Sequence, residues 1–229
     1  PVNGVSYLYI KDSTINYRDQ FGNVESFDHF FGTDGAGSVT RQELLRFDSQ
    51  ARAELWPLGS HYKELSMPAN EDSSYKIDEK GLHIWPRGKH MLMALPNSDG
   101  SFTMTIYMPE QWYKDFDTKE KVENYFEEFY PDAIKHMPDY TTEFFENPQG
   151  FLGSLDLNKW VYQDQICLMG DAAHAIVPFF GQGMNCGFED CVVLNELMNK
   201  YGDLNGPCLK EYETLRKPDG DAIADLAIA

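Results

Sequence analysis

The chain is short of positive charge. Its 19 lysines and arginines face 37 aspartates and glutamates, a formal net charge of −18 over 229 residues. Such a surface repels phosphate backbones and anionic headgroups, which argues against nucleic-acid or membrane-surface binding. Solubility is the plain account of the acidity. Cysteine is scarce as well: Cys167, Cys186, Cys191 and Cys208 form no Cys-x-x-Cys pair, so neither a disulfide framework nor a zinc site is expected. They read as small, buried or half-buried thiols of a reducing compartment. No apolar run reaches the length of a bilayer crossing, and no signal peptide opens the chain. Pro1 to Gly4 show neither a methionine nor a capped element, and Ala222 to Ala229 stop inside a helical pattern, so a fragment of a longer protein is expected.

What is present is a globular composition, 42% hydrophobic and 14% aromatic, sufficient for one large or two small cores. Val5–Ile10 and Ser13–Tyr17 alternate as strands, residues 19–23 read as a turn, and Phe27–Gly32 reads as a buried strand running into the turn Thr33-Asp34-Gly35. Ser38 is the expected N-cap of a helix through Phe47. Residues 48–59 carry no clear pattern. Four β runs follow, Tyr62–Met67, Gly81–Trp85, Met91–Leu95 and Phe102–Met108, the last two joined by the hairpin signal Asn97-Ser98-Asp99-Gly100. Glu110–Tyr130 predicts one helix with Val122, Phe126 and Phe129 on a face, its acidic Glu123–Glu128 side solvated, and Asp132–Met137 a short second one. Gln165–Gly170 is an apolar strand. After it Phe188, Cys191, Val192, Leu194, Leu197, Met198 and Tyr201 fall on one helical face. Strand-turn-helix, a β-rich block, and strand-turn-helix again predict an α/β nucleotide-binding domain interrupted by an antiparallel sheet.

The strongest chemical signal runs from Cys167 to Asn185. A buried strand ends in Gly170-Asp171, a loop containing Gly181 and Gly183 follows, and a helix begins. Ligands of open α/β sheets bind at the carboxyl ends of strands, where Asp171 can accept hydrogen bonds from sugar-alcohol hydroxyls. Glycines permit close backbone approach to a flat ligand, and the helix start offers free N–H groups to negative charge. Taken singly, Asp171 reads sooner as a loop or capping residue and the glycines as ordinary turn residues; it is the whole run of about twenty positions that points to a ligand. His174, His83 and His90 stand without a second ligand at metal spacing and read as structural histidines.

Gly170-Asp171 through Asp190 resembles the second flavin motif of the class A FAD-dependent aromatic hydroxylases, and His174 through Asp190 is similar to the kynurenine-hydroxylating members in particular. Phe31 through Arg41 resembles the family's Asp-Gly motif, although Asp-Gly after a strand is by itself most often only a turn. Leu82-His-Ile-Trp-Pro-Arg87, Met91–Leu95 and Gly100–Thr103 are similar to the sheet of its substrate domain, a face that reads residue by residue equally well as core.

The resemblance implies a partial FAD-binding Rossmann-like domain with an inserted antiparallel β-sheet substrate domain: residues 1–59 and 151–229 in the first, 60–150 in the second. It implies that Asp171, Gly183, Met184, Asn185 and Asp34 serve the cofactor and that Gln182 sits near the reacting edge. Leu82, Met93, Leu95, Tyr107, Pro178 and Phe179 would line the pocket for an aromatic substrate, L-kynurenine. FAD reduced by NADPH would react with O2 and pass one oxygen atom to the ring, giving 3-hydroxykynurenine. The protein's share is to position the ring and exclude water. Tyr107 stands where several relatives carry Phe, so its hydroxyl needs a partner. The family's opening Gly-x-Gly-x-x-Gly element is absent, as are the N-terminal residues that bind the substrate's amino-acid end. Another class A flavoprotein hydroxylase, or a truncated module unable to hold FAD, are the competing readings. The acidic, anchor-free sequence leans to a soluble bacterial, cytoplasmic protein. A eukaryotic parent would sit at the mitochondrial outer membrane.

Overall fold

In the computed structural model, residues 5–11, 14–19 and 21–228 are described. The predicted start at Pro1–Gly4, the Ser13 end of the second strand, Gln20 of the first turn and the final Ala229 lie outside them. The chain opens with β1 (Val5–Lys11), β2 (Thr14–Asp19), β3 (Val24–Phe27) and β4 (Phe30–Gly32), then α1 (Val39–Phe47) and the long β5 (Ala53–Met67). Next come β6 (His83–Arg87), β7 (His90–Pro96) and β8 (Phe102–Pro109), followed by α2 (Glu110–Asp115), α3 (Lys119–Phe129), α4 (Pro131–Ile134) and α5 (Tyr140–Glu146). Finally β9 (Gln149–Leu157), β10 (Val161–Tyr162) and β11 (Ile166–Leu168) lead into α6 (Asp171–His174), α7 (Gly183–Tyr201) and α8 (Gly206–Ile228). The fold is α/β with antiparallel sheets, and it divides into two compact units, residues 1–56 with 153–229, and residues 57–152.

The first unit is built on β11, whose three residues are all buried. It pairs in parallel with β4, Cys167 opposite Phe31 and Leu168 opposite Gly32, and antiparallel with β10. Gly32 is a packing requirement: a Cβ there would come within 2.5 Å of Leu168 Cδ2 and 2.7 Å of Thr40 Cγ2. Leu194 and Leu197 of α7 and Leu209 and Tyr212 of α8 complete the core around Trp160, Ile166 and Leu168. β1, β2 and β3 form a separate antiparallel sheet. The run Phe27–Gly32 is therefore two strands, since Phe27 ends β3 opposite Ile15 and only Phe30–Gly32 joins β11.

The second unit is a sheet ordered β6-β7-β8-β5-β9. Leu65, Leu92, Ala94, Met104 and Ile106 on one face bury Val122 and Phe126 of α3. The β7–β8 hairpin closes through Asn97 N–H to Ser101 O and Gly100 N–H to Asn97 O, with Gly100 at φ +87°. The single helix expected over Glu110–Tyr130 is two, because Phe116 ends α2 and the Thr118 hydroxyl accepts from Lys121 N–H to start α3. The helix expected over Asp132–Met137 is α4, begun by Pro131 at its first turn.

Candidate functional site

β11 delivers the chain to Gly170, which sits at φ +57°, ψ −145°, a conformation open only to glycine. Its carbonyl accepts from Ala173 and His174 N–H at 2.8 and 2.9 Å, which coils the next four residues into α6. Ala172, Ala173 and His174 turn inward and are buried, and Asp171 alone faces outward, exposed. α7 lies against this turn through its glycines. A Cβ built on Gly187 would meet Gly170 Cα at 3.6 Å, and one on Gly183 would meet Asp171 Oδ1 at 3.8 Å. The exposed carboxylate therefore stands beside the first residue of α7.

The start of α7 is shaped by a 3-10 turn at Pro178–Phe180 and by Gly181 at φ +63°, whose N–H returns to Pro178 O. Gln182 holds the N-cap position without capping: its Nε2 donates to Phe180 O and its Oε1 accepts from Asn185 Nδ2. Among the described residues no side chain takes up the first-turn N–H groups at Gly183, Met184 and Asn185, so the positive end of a 19-residue helix opens beside Asp171. Met184 and Asn185 are exposed. Pro178 is exposed and Phe179 half-buried in the same segment.

The Asp34-Gly35 turn is tied to this site by one side chain. Asp34 spends its carboxylate on the start of α1, accepting from Ser38 Oγ (2.5 Å), Thr40 N–H (3.0 Å) and Thr40 Oγ1 (3.1 Å). Burial alone would raise its pKa, and these hydrogen bonds more than offset that and hold it below the ordinary carboxylate value. Ser38 caps α1 as the sequence predicts, its Oγ accepting from Arg41 N–H. Arg41, nearly buried, then reaches the other turn, donating from Nη1 to Ala172 O at 2.9 Å and from Nη2 to Ala36 O. On the far side the buried Asp190 accepts from Gly170 N–H (2.8 Å) and His174 Nε2 (2.6 Å) on one oxygen and from Arg216 Nε (2.9 Å) on the other. Burial would again raise this carboxyl's pKa, and the His174, Gly170 and Arg216 donors keep it lowered.

Sequence reasoning missed Arg41, Asp190 and Arg216 as a set. Arg41 and Asp190 stood at the edges of the two motifs. Arg216 carries no pattern signal, because only the fold shows a helical arginine 1% exposed.

In the second unit, Leu82, Met93, Leu95 and Tyr107 belong to the sheet face opposite the one covered by α3. Register places Met91 opposite Tyr107, Tyr107 opposite Tyr62, Met93 between Ile84 and Thr105, and Leu95 opposite Thr103. Leu82 precedes β6 by one residue, one step beyond the His83–Ala94 pair and so in line with Leu95. Met93 and Tyr107 are buried, whereas Leu82 is 52% and Leu95 45% exposed. Burial pushes the Tyr107 hydroxyl up to about 12, against the hydrogen bond with Thr105. This face is a partly open apolar surface, separate from the helix-packed core.

The apolar face expected on α7 divides. Leu194 and Leu197 are buried with Asp190, while Phe188 is 64% and Val192 56% exposed. The buried stripe begins at a carboxylate, which a period of 3.6 in apolar residues does not reveal. Among the described residues no helix is long and apolar enough to cross a membrane, and no group of three or more His, Cys, Asp or Glu is placed to hold a metal ion.

Residues 26–227 match the family model described as FAD binding domain. The chain is 49% identical over 213 residues to kynurenine 3-monooxygenase of Flavobacterium psychrophilum, covering 92% of this chain and 47% of that protein. It is 44% identical to the enzyme of that name from Myxococcus xanthus (95% and 46%) and 39% identical to that from Dictyostelium discoideum (96% and 50%). The chain thus spans about half the length of the curated relatives it matches. Among solved structures it resembles Klebsiella pneumoniae HpxO complexed with FAD and uric acid at TM-score 0.75, with 19% identity over 98% of this chain and 55% of that one. A tetrameric 2-methyl-3-hydroxypyridine-5-carboxylic acid oxygenase gives the same TM-score at 19% identity, over 93% and 56%. At such identities the likeness concerns the fold.

Proposed function

Since the chain belongs to the FAD-binding domain family, we propose that it forms part of an FAD- and NADPH-dependent monooxygenase that hydroxylates L-kynurenine to 3-hydroxykynurenine. The observation that carries this reading is the exposed Asp171 carboxylate beside the uncapped start of α7. A carboxylate suits hydroxyls of a ribityl chain, and an open helix N-terminus suits the negative end of a reduced flavin ring, so the donor set fits the cofactor. FAD, when bound, supplies the redox chemistry with O2, and NADPH supplies the electrons.

The chain's own residues bind, orient and exclude water. Asp171 would accept from the ribityl hydroxyls, and the free N–H groups of Gly183, Met184 and Asn185 would serve the negative charge of the ring. Gln182, held by Phe180 and Asn185, keeps the loop before α7 in shape near the reacting edge. Asp34 acts indirectly, by fixing the turn from which Arg41 reaches Ala172. In the second unit Leu82 and Leu95, backed by the buried Met93 and Tyr107, offer apolar surface suited to an aromatic ring. The arylamine ring is electron-rich, so no side-chain base is needed to activate it. The kynurenine 3-monooxygenase name shared by relatives at 39–49% identity supports the choice of substrate.

The test is NADPH oxidation by the full-length protein. L-kynurenine is expected to stimulate it and to yield 3-hydroxykynurenine. Hydroxylation of anthranilate or salicylate with kynurenine ignored would assign the protein to another class A hydroxylase.

A further inference from the structure

Gly183, Gly187 and Asp190 fall at i, i+4 and i+7 of α7, one face of the helix. Each meets the turn after β11 at a successive point. Gly183 lies against Asp171 Oδ1, Gly187 against Gly170 Cα, and the Asp190 carboxylate bonds Gly170 N–H. The two glycines let the helix approach, and the aspartate fixes the distance of approach. From that geometry we propose that Asp190 is a positioning residue for the flavin-holding turn. Its carboxylate sets Gly170 and α6 in place before any ligand arrives, so that Asp171 is presented rather than recruited. The proposal rests on the reading that this turn holds FAD.

The bonding pattern favours presetting over simple core filling. Asp190 is fully buried, and an unpaired buried carboxylate is strongly disfavoured, so its bonds are made whether or not a ligand is present. Two of its three donors, Gly170 N–H and His174 Nε2, bracket Asp171 from either side. The third, Arg216, locks the opposite oxygen from α8 and donates to Cys186 O of α7 as well, so the carboxylate cannot rotate without loss. Arg41 holds Ala172 O from a third direction. Gly170 N–H, Gly170 O and Ala172 O are therefore all held from within the protein, while among the described residues the exposed Asp171 carboxylate and the buried His174 Nδ1 have no hydrogen-bond partner.

The experiment compares Asp190→Asn and Glu213→Gln in the full-length protein. Glu213 accepts from Trp160 and Val161 N–H in the same unit and does not touch the turn, so its variant controls for lost stability. Apoprotein melting and FAD titration by flavin fluorescence are measured for both, at a temperature where both are folded. Asp190→Asn is expected to weaken FAD binding about tenfold or more, and Glu213→Gln by no more than about twofold for a comparable loss of melting temperature. Equal FAD affinity in Asp190→Asn and wild type overturns the proposal. So does a loss in both variants that simply tracks melting. Should Asp190→Asn not fold, amide exchange in the wild-type apoprotein decides. Residues 169–174 are expected to be protected like β11 before FAD is added, and open-loop exchange that slows only with FAD overturns the idea. Wild-type protein that binds no FAD at all would instead sink the functional reading beneath it.

Discussion

The first unit organises its interior around buried charge, with Asp190, Arg216 and Arg41 all bonded to the backbone or to one another, while the second fills its helix-covered interior with rings. In the second unit Phe126 packs against Tyr125, Tyr130 and Tyr140 at centroid distances of 5.4, 5.7 and 5.0 Å. His90 is held neutral-leaning there: burial, with Arg87 nearby, lowers its pKa while the hydroxyls of Tyr125 and Tyr130 meet its Nδ1. The nearly buried Lys63 caps the C-terminal carbonyls of α5, at Phe144 and Asn147. The contrast follows from what each interior must specify. A sheet covered by helices needs volume, which rings supply without direction. An irregular turn with a glycine in an unusual conformation needs bonds that act at single atoms.

The sharpest way to break the contrast is Asp190→Ala, which leaves Gly170 N–H and Arg216 Nε without their acceptor. Its expected cost is about 3–5 kcal/mol in urea unfolding, typical of breaking a buried ionic network. The cost should also depend on pH. The folded carboxyl is lowered, so its contribution is fully present above the unfolded value near ~3.9 and is lost as pH falls through the folded one. The gap between wild type and variant should therefore narrow as pH falls below about 4, and a constant gap down to lower pH would remove the ionic account. Ile106→Val, in the ring-filled core, should cost about 1 kcal/mol with no such pH dependence. Leu82→Ala should fall within about 0.5 kcal/mol of wild type, because the residue is half exposed, yet raise KM for L-kynurenine in the full-length protein. A change in stability with unchanged KM would place Leu82 in the core instead.

Much of this was legible in the chain itself where local rules act alone. Ser38 as a cap, the Asn97–Gly100 hairpin and the buried strand before Gly170 all follow from turn chemistry and burial patterns. Elsewhere local rules and tertiary contacts part. α8 runs from Gly206 to Ile228 straight through Pro218-Asp219-Gly220. Gly220 is there for space, since a Cβ would meet Trp160 at 2.8 Å, and Arg216 one turn earlier is anchored to Asp190. Likewise Phe188 and Val192 read as core from their spacing, whereas the buried line of α7 passes through Asp190. In both places tertiary contacts outvote local propensity. The candidate site shows the same division: Asp171 and the glycines were readable, and the buried network that poses them was not.

The account stands or falls on Asp171, which is exposed and can be changed without disturbing the interior. FAD titration of the full-length protein carrying Asp171→Asn measures it directly. The expected result is an unchanged melting temperature for the apoprotein with FAD affinity reduced about tenfold or more, as for loss of charge-assisted hydrogen bonds to the ligand. FAD affinity equal to that of the unaltered protein would contradict it.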